Sequence, residues 1–178
     1  MCQQLLLFHK VLIKQGHDIF EVSDLIHDTF LMYNHNCYSI PEITIACDHL
    51  TEEITVPGTT IISPNYPSEY ESSSDCFAFI RFPASQIVSL TFEAFNVEKH
   101  SRCDYDYLAV CDGRICDGDG DSDIVTLIGS KLCGRKRHLP ASIESTGNVM
   151  TLHFHTDGSV NKSGFKIHVN AGKQLVIF

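Results

Sequence analysis

Cys76-Phe77-Ala78-Phe79-Ile80-Arg81-Phe82 alternates with a period of two. Cys76, Ala78, Ile80 and Phe82 fall on one face; Phe77, Phe79 and Arg81 fall on the other. A chain that buries every second side chain is a β-strand. The pattern recurs downstream. Val88, Leu90 and Phe92 alternate with Ser89, Thr91 and Glu93. Met150, Leu152 and Phe154 alternate with Thr151, His153 and His155, and Phe165, Ile167 and Val169 with Lys166 and His168. Each stretch reads as a half-buried strand with one dry face and one wet face. Pro64-Asn65, Asp112-Gly113, Thr146-Gly147-Asn148 and Asp157-Gly158 supply turn chemistry between them. Many short strands with turns between them predict an all-β chain, an antiparallel sandwich or barrel.

Two side-chain sets fall on predicted outer faces. Phe77 and Phe79 either mark a contact surface or reflect a local bulge that shifts the strand's register. His153 and His155 read as polar residues on a wet face. An H-x-H pair holds zinc only if a third ligand approaches, and the neighbouring sequence names none.

The 178 residues leave room for one good core and a small appendage. The net charge of −9 argues against a nucleic-acid surface and suits a partner offering Lys, Arg or a divalent cation. No apolar run is long enough to cross a membrane. Eight cysteines with no C-x-x-C spacing favour a disulfide framework over zinc, and therefore an oxidising compartment. Cys111 and Cys116 flank Asp112-Gly113-Arg114-Ile115, a turn short enough for a local disulfide. Leu5-Leu6-Leu7-Phe8 is interrupted by His9 and Lys10, too soon for a cleavable leader. The expectation is a fragment of a longer secreted protein, or a misplaced start.

Residues 1–46 differ in character. Ser23-Asp24 is placed to cap a short helix carrying Leu25, Ile26, Phe30 and Leu31. The alternative is a poorly ordered remnant of an upstream domain. Cys2 and Cys37 bracket the segment as a possible pair.

From Cys47 onward a signature accumulates. Gly58-Thr59-Thr60-Ile61-Ile62-Ser63-Pro64-Asn65-Tyr66-Pro67 precedes Cys76. Then come Cys103-Asp104-Tyr105-Asp106-Tyr107-Leu108 and Leu132-Cys133-Gly134, followed by Thr156-Asp157-Gly158-Ser159 and Gly164-Phe165. This order resembles the CUB domain, an extracellular jelly-roll-like β-sandwich that binds rather than catalyses. The resemblance covers residues 47–170, leaving 1–46 as an N-terminal segment and 171–178 as a tail. One departure is Ala78, where the family usually carries a large aromatic.

The resemblance implies disulfides Cys47–Cys76 and Cys103–Cys133. Each closes a loop worth about 3 kcal/mol by the chain-entropy relation. It also implies a Ca2+ site built from Glu98, Asp106 and Asp157 with Ser159, supported by Tyr70. Clustered carboxylates suit a hard cation that takes six to eight oxygens. In the family mechanism, oxygens left over accept a Lys ammonium from an extracellular protein partner. Tyr70, Glu98 and Asp157 are the expected partner-binding residues. Asp117, Asp119 and Asp121 imitate an EF-hand loop, but Ser122 replaces the required Gly and Ile128 the bidentate Glu. Asn161-Lys162-Ser163 is an N-glycosylation acceptor.

Neither H-E-x-x-H nor G-x-S-x-G occurs, so the chain is not expected to be an enzyme. The leading reading is a calcium-dependent protein-binding module. The alternatives are a recognition domain of a larger metalloprotease or serine protease, with neighbouring domains as partners, and a carbohydrate- or phospholipid-binding module like the spermadhesins.

Overall fold

The computed structural model describes residues 9–15, 18–24, 30–33, 36–39, 41–47, 53–114, 116 and 127–173. The chain divides into two units, Met1–Pro41 and Glu42–Phe178. In the first, β1 (His9–Gln15) pairs antiparallel with β2 (Asp18–Asp24), and β3 (Phe30–Tyr33) with β4 (Asn36–Ser39). This corrects the expected helix. Ser23 and Asp24 end β2 opposite Lys10 and His9, and Phe30 and Leu31 open β3. A stripe of four apolar residues is too short to nucleate a helix in its own right. Val11, Ile13, Ile19 and Val22 are β-branched and favour strands. Cys37 lies in β4; Cys2, Leu25 and Ile26 lie outside the described residues.

The second unit is a β-sandwich. Its strands are β5 (Glu42–Thr44), β6 (Glu53–Ile54), β7 (Thr60–Ile62), β8 (Ser74–Arg81), β9 (Gln86–Val97), β10 (Tyr107–Asp112), β11 (Gly134–Arg135), β12 (Ser142–Glu144), β13 (Val149–Thr156) and β14 (Gly164–Lys173). One sheet runs β10-β13-β8-β6. The other runs β11-β9-β14-β7-β5, with β12 also pairing β9. The sheets are antiparallel except at two edges, where β5 joins β7 and β6 joins β8 in parallel. A single 3₁₀ turn, Lys136–His138, is the only helical element among the described residues.

The core lies between the sheets. Cys76, Ala78, Ile80, Leu108, Val110, Met150, Leu152 and Phe154 face Val88, Leu90, Phe92, Phe165, Ile167 and Val169. Small Ala78 is paired with Leu152 on the next strand. Phe154 meets Phe165 edge-to-face at 5.1 Å, a favoured aromatic geometry. Strand β9 changes parity midway: Val88, Leu90 and Phe92 point inward, then Phe95 and Val97. The cause is a bulge. Lys166 pairs with Ala94 but Ile167 with Phe92, so Glu93 is the extra residue. An inserted residue flips every later side chain to the other face.

The outer face of the four-stranded sheet is drier than its alternation predicts. Tyr107, Ala109, Cys111 and Cys116 form a second buried cluster there, and residues from Leu127 to Leu132 cover the free edge of β10. Thr151 and His153 are consequently buried, which corrects the wet-face reading. Phe77 and Phe79 are half-buried rather than exposed. Phe77 stacks on His153 at 4.4 Å, and the Arg114 guanidinium lies 5.3 Å from the Phe79 ring. The β8–β13 register is unbroken from Ser74 to Arg81, so no bulge is involved.

Three disulfides join Cys47 to Cys76, Cys103 to Cys133, and Cys111 to Cys116. The acidic stretch 117–123 lies outside the described residues.

Candidate functional site

Four long strands deliver their ends to one place. β9 ends at Val97 and is followed by Glu98; Asp106 precedes β10; Asp157 follows β13; and β14 begins at Gly164, opposite Asn96. Antiparallel pairing therefore gathers three acids at one end of the sandwich. One carboxylate oxygen from each of Glu98, Asp106 and Asp157 lies within 4.8 Å of the others.

Asp106 is fully buried and organises the group. Its Oδ2 accepts from the Tyr70 hydroxyl at 2.5 Å, and its Oδ1 from the Asp157 backbone N–H at 2.8 Å. The Tyr70 hydroxyl in turn accepts from the Glu98 N–H at 3.1 Å. One phenol thus ties two of the acid-bearing loops together. Tyr70 is itself 1% exposed, so its placement corrects the expected partner contact: it sits beneath the acids and holds them. Burial, followed by the Asp106 hydrogen bond, pushes its hydroxyl well above the usual phenol range, so it stays a donor.

Glu98 is the group left over. Its Oε2 is buried and has no hydrogen-bond partner among the described residues. Desolvation, then the charges of Asp106 and Asp157, raise its carboxyl above the ordinary glutamate value. Three carboxylates converging without an opposite charge repel. The donor set is all oxygen, clustered and partly desolvated, and so fits a hard dication. Exposed Ser159 donates its N–H to Asp157 Oδ1 at 2.8 Å, shaping that turn. Gly164 is obligatory behind it. Its φ is +75°, and a Cβ there would overlap the Ser63 hydroxyl, which accepts from the Phe165 N–H at 3.0 Å.

Two of the four large apolar side chains exposed among the described residues flank these acids in sequence, Tyr105 and Val160. Val160 has φ +64°, a strained conformation for a β-branched residue. Asn161 is half-exposed, with its Oδ1 accepting from the Ser72 hydroxyl at 2.9 Å.

The family assignment rests on more than the acids. The CUB domain family model matches residues 47–169. The chain belongs to the CUB domain family. CUB domains are non-catalytic protein-interaction modules. This one is 44% identical over 106 residues to the Bone morphogenetic protein 1 homolog of Strongylocentrotus purpuratus, covering 60% of this chain and 15% of that protein. Among solved structures it resembles the extracellular region of zebrafish Gpr126/Adgrg6, at 32% identity and a TM-score of 0.57, covering 72% of this chain and 15% of that one. It also resembles the MASP-1 CUB2 domain solved bound to Ca2+, at 28% identity and a TM-score of 0.55, covering 67% and 96%. The chain spans only 9% to 15% of the length of the curated relatives it matches.

A second polar group lies elsewhere on the CUB domain. Asp75 Oδ1 is 2.7 Å from His153 Nε2 and 2.8 Å from His155 Nδ1. Sequence reasoning found the two histidines but missed Asp75. It comes from the neighbouring strand β8, opposite His155, and only the strand register shows that meeting.

Proposed function

We propose that this CUB domain is an extracellular, calcium-dependent protein-binding module that takes a Lys side chain of its partner at the Glu98–Asp106–Asp157 end. The observation that carries this reading is the buried, partnerless Glu98 Oε2 beside two further carboxylates. Glu98, Asp106 and Asp157 would hold the ion, with the Ser159 turn beside them. A bound Ca2+ supplies the positive charge that offsets their repulsion. Tyr70 fixes Asp106 and the Glu98 backbone, so the carboxylates keep one orientation. Carboxylate oxygens still free then accept an ammonium group, a compact point charge suited to such a cluster. Exposed Tyr105 and Val160 offer apolar surface for the Lys methylenes. The Ca2+-bound MASP-1 CUB2 relative supports the choice of ion. Three disulfides support an oxidising, extracellular setting, where Asn161 would accept a glycan.

The test has two steps. Calcium is titrated calorimetrically into the chelated protein. Nα-acetyl-lysine methylamide is then titrated with NMR detection, in calcium and in chelator, with the norleucine analogue as control. Shifts at Tyr105, Ser159 and Val160 are expected only for lysine and only in calcium. Equal shifts in chelator, or no heat with calcium, would overturn the reading.

The names of the relatives favour a wider setting for the same module. One is the zinc metalloproteinase nas-39 of Caenorhabditis elegans, 35% identical over 117 residues and covered to 11%. The domain would then serve as the recognition part of a longer protease. A full transcript encoding no catalytic domain would end that extension and leave the module reading intact.

A further inference from the structure

We propose that Asp75, His153 and His155 form a second metal site on the outer face of the four-stranded sheet, for a borderline transition-metal dication of the Zn2+ class. The proposal does not depend on the calcium reading.

The donors come from rigid elements. His153 and His155 stand two residues apart on β13 and so share a face, and Asp75 lies opposite His155 on β8. Their three ligand atoms fall within 4.8 Å of one another. Both rings are held by aromatic packing. Phe77 stacks on His153 at 4.4 Å and 8°, and Tyr107 stacks on His155 at 5.0 Å and 26°. The Cys47–Cys76 disulfide anchors the residue next to Asp75. A site whose ligands are fixed by packing loses little entropy on binding.

The orientation of His153 is the second observation. Its side chain is 9% exposed, and its Nδ1 is buried without a partner. The ring therefore has one usable edge, Nε2, aimed at Asp75. Asp75 is 53% exposed, which leaves the group open to solvent on one side. Two imidazoles, a carboxylate and an open position are the donor set of a zinc site completed by water. Imidazole nitrogen selects Zn2+, Cu2+ or Ni2+ over Ca2+ and Mg2+. The all-oxygen group at the end of the sandwich has the opposite preference.

Ligation displaces the hydrogen bonds that now join the three side chains. Both ring nitrogens now address Asp75 Oδ1, at 2.7 and 2.8 Å, so a zinc at about 2.0–2.1 Å from each nitrogen would stand near that oxygen's present place. The Asp75 side chain, 53% exposed, would swing outward to make room and ligate the ion from the solvent side. Each neutral ring then carries its proton on the other nitrogen. For His153 that places an N–H at the buried, partnerless Nδ1, an unmet donor that weakens the site.

The test uses the disulfide-intact chain in saturating calcium, titrated with Co2+ and then Zn2+. One equivalent of Co2+ should give tetrahedral d–d absorption, and Zn2+ should displace it. Asp75→Asn and His155→Gln should each weaken Zn2+ at least tenfold while leaving the calcium-induced melting shift unchanged. Both side chains are partly exposed, and circular dichroism checks that the variants fold. Zn2+ bound equally by the two variants, Zn2+ displaced by calcium, or no uptake at millimolar Zn2+ would each overturn the proposal.

Discussion

The two polar clusters sit at opposite ends of one chemical scale. Asp75, His153 and His155 already satisfy one another, because two ring N–H groups share one carboxylate oxygen. Glu98, Asp106 and Asp157 do not: Asp106 accepts one hydrogen bond on each oxygen, from Tyr70 and Asp157, which leaves lone pairs on both, and Glu98 Oε2 is left buried and bare. Desolvation raises the Asp75 carboxyl, but hydrogen bonds from His155 and His153 outweigh it and bring it below the usual aspartate value. Glu98 is pushed the other way by desolvation and by its neighbours' charge. One cluster is at rest without an ion, and the other is under electrostatic load. An ion binding the first must displace hydrogen bonds; an ion binding the second relieves repulsion.

Gly164→Ala should produce the largest effect. It places a Cβ against Ser63 with Tyr70 behind it, at a backbone angle that disfavours any side chain. We expect a loss of at least about 3 kcal/mol from strain and overpacking together. The calcium response should fall with it, by denaturant melts with and without chelator, and metal uptake at Asp75 should persist while the fold does. Asp106→Ala comes next. Removing a buried acceptor strands the Tyr70 hydroxyl and the Asp157 N–H, at about 1–3 kcal/mol. It should also erase the calcium-induced rise in Tm. That rise is worth about 2.7 kcal/mol at a hundredfold excess over Kd, or roughly 5–10 °C for a chain of this size. Asp75→Ala should leave it in place.

Tyr70→Phe is milder, because the core volume survives. Asp106 loses one donor and the Glu98 N–H loses its acceptor. We expect about 1–2 kcal/mol in stability and a several-fold weaker calcium affinity by calorimetry. An unchanged affinity would show that the phenol does not orient the acids. The smallest effect lies in the pH dependence of the chelated protein. Glu98 binds its proton more tightly folded than unfolded, so its charge destabilises the fold increasingly as pH rises from the ordinary glutamate value through the raised one. Glu98→Gln should therefore be more stable than the parent at neutral pH, and equal to it in acid. Asp75 has the opposite sign. Its contribution is present above the ordinary aspartate value and is lost as pH falls through the lowered one. Asp75→Asn should be less stable at neutral pH, by within about 1 kcal/mol, and equal in acid. Parallel melting curves from pH 3 to about 7 decide the sign of each.

Much of this molecule is legible along the chain because its information is local. Inward-facing Cys76, Ala78, Ile80, Val88, Leu90, Leu152 and Phe154 follow from period two, whereas Glu98, Asp106 and Asp157 are singled out only by the resemblance to the CUB family. What escaped depends on pairing across strands. The Glu93 bulge has no composition cue, yet it re-aims Phe95 and Val97. His153 reads as solvated because alternation alone places it outside. Its burial depends on Tyr107, Phe77 and the chain following β10. Tyr70 shows a subtler failure: its presence near the acids is readable, but its depth is not. Before Cys47 the sequence leaves a short helix and a poorly ordered remnant open, because four apolar residues at helical spacing compete with the β-branched residues around them; the described residues there are strands.

The short parallel strands at the sheet edges carry a practical consequence for solubility. The family match begins at Cys47, but β5 starts at Glu42 and closes the open side of β7, and Ile45 just after it is a core residue. A fragment trimmed at Cys47 would bare the backbone N–H and C=O groups of Thr60–Ile62 and open a hole where Ile45 sat. An uncovered edge of this kind is a template for strand addition between molecules. We expect such a fragment to self-associate more than one that begins at Glu42, with its disulfides, acids and histidines all in place, and sedimentation of the two checks it. Five residues ahead of the first family cysteine thus protect a sheet edge and complete the core.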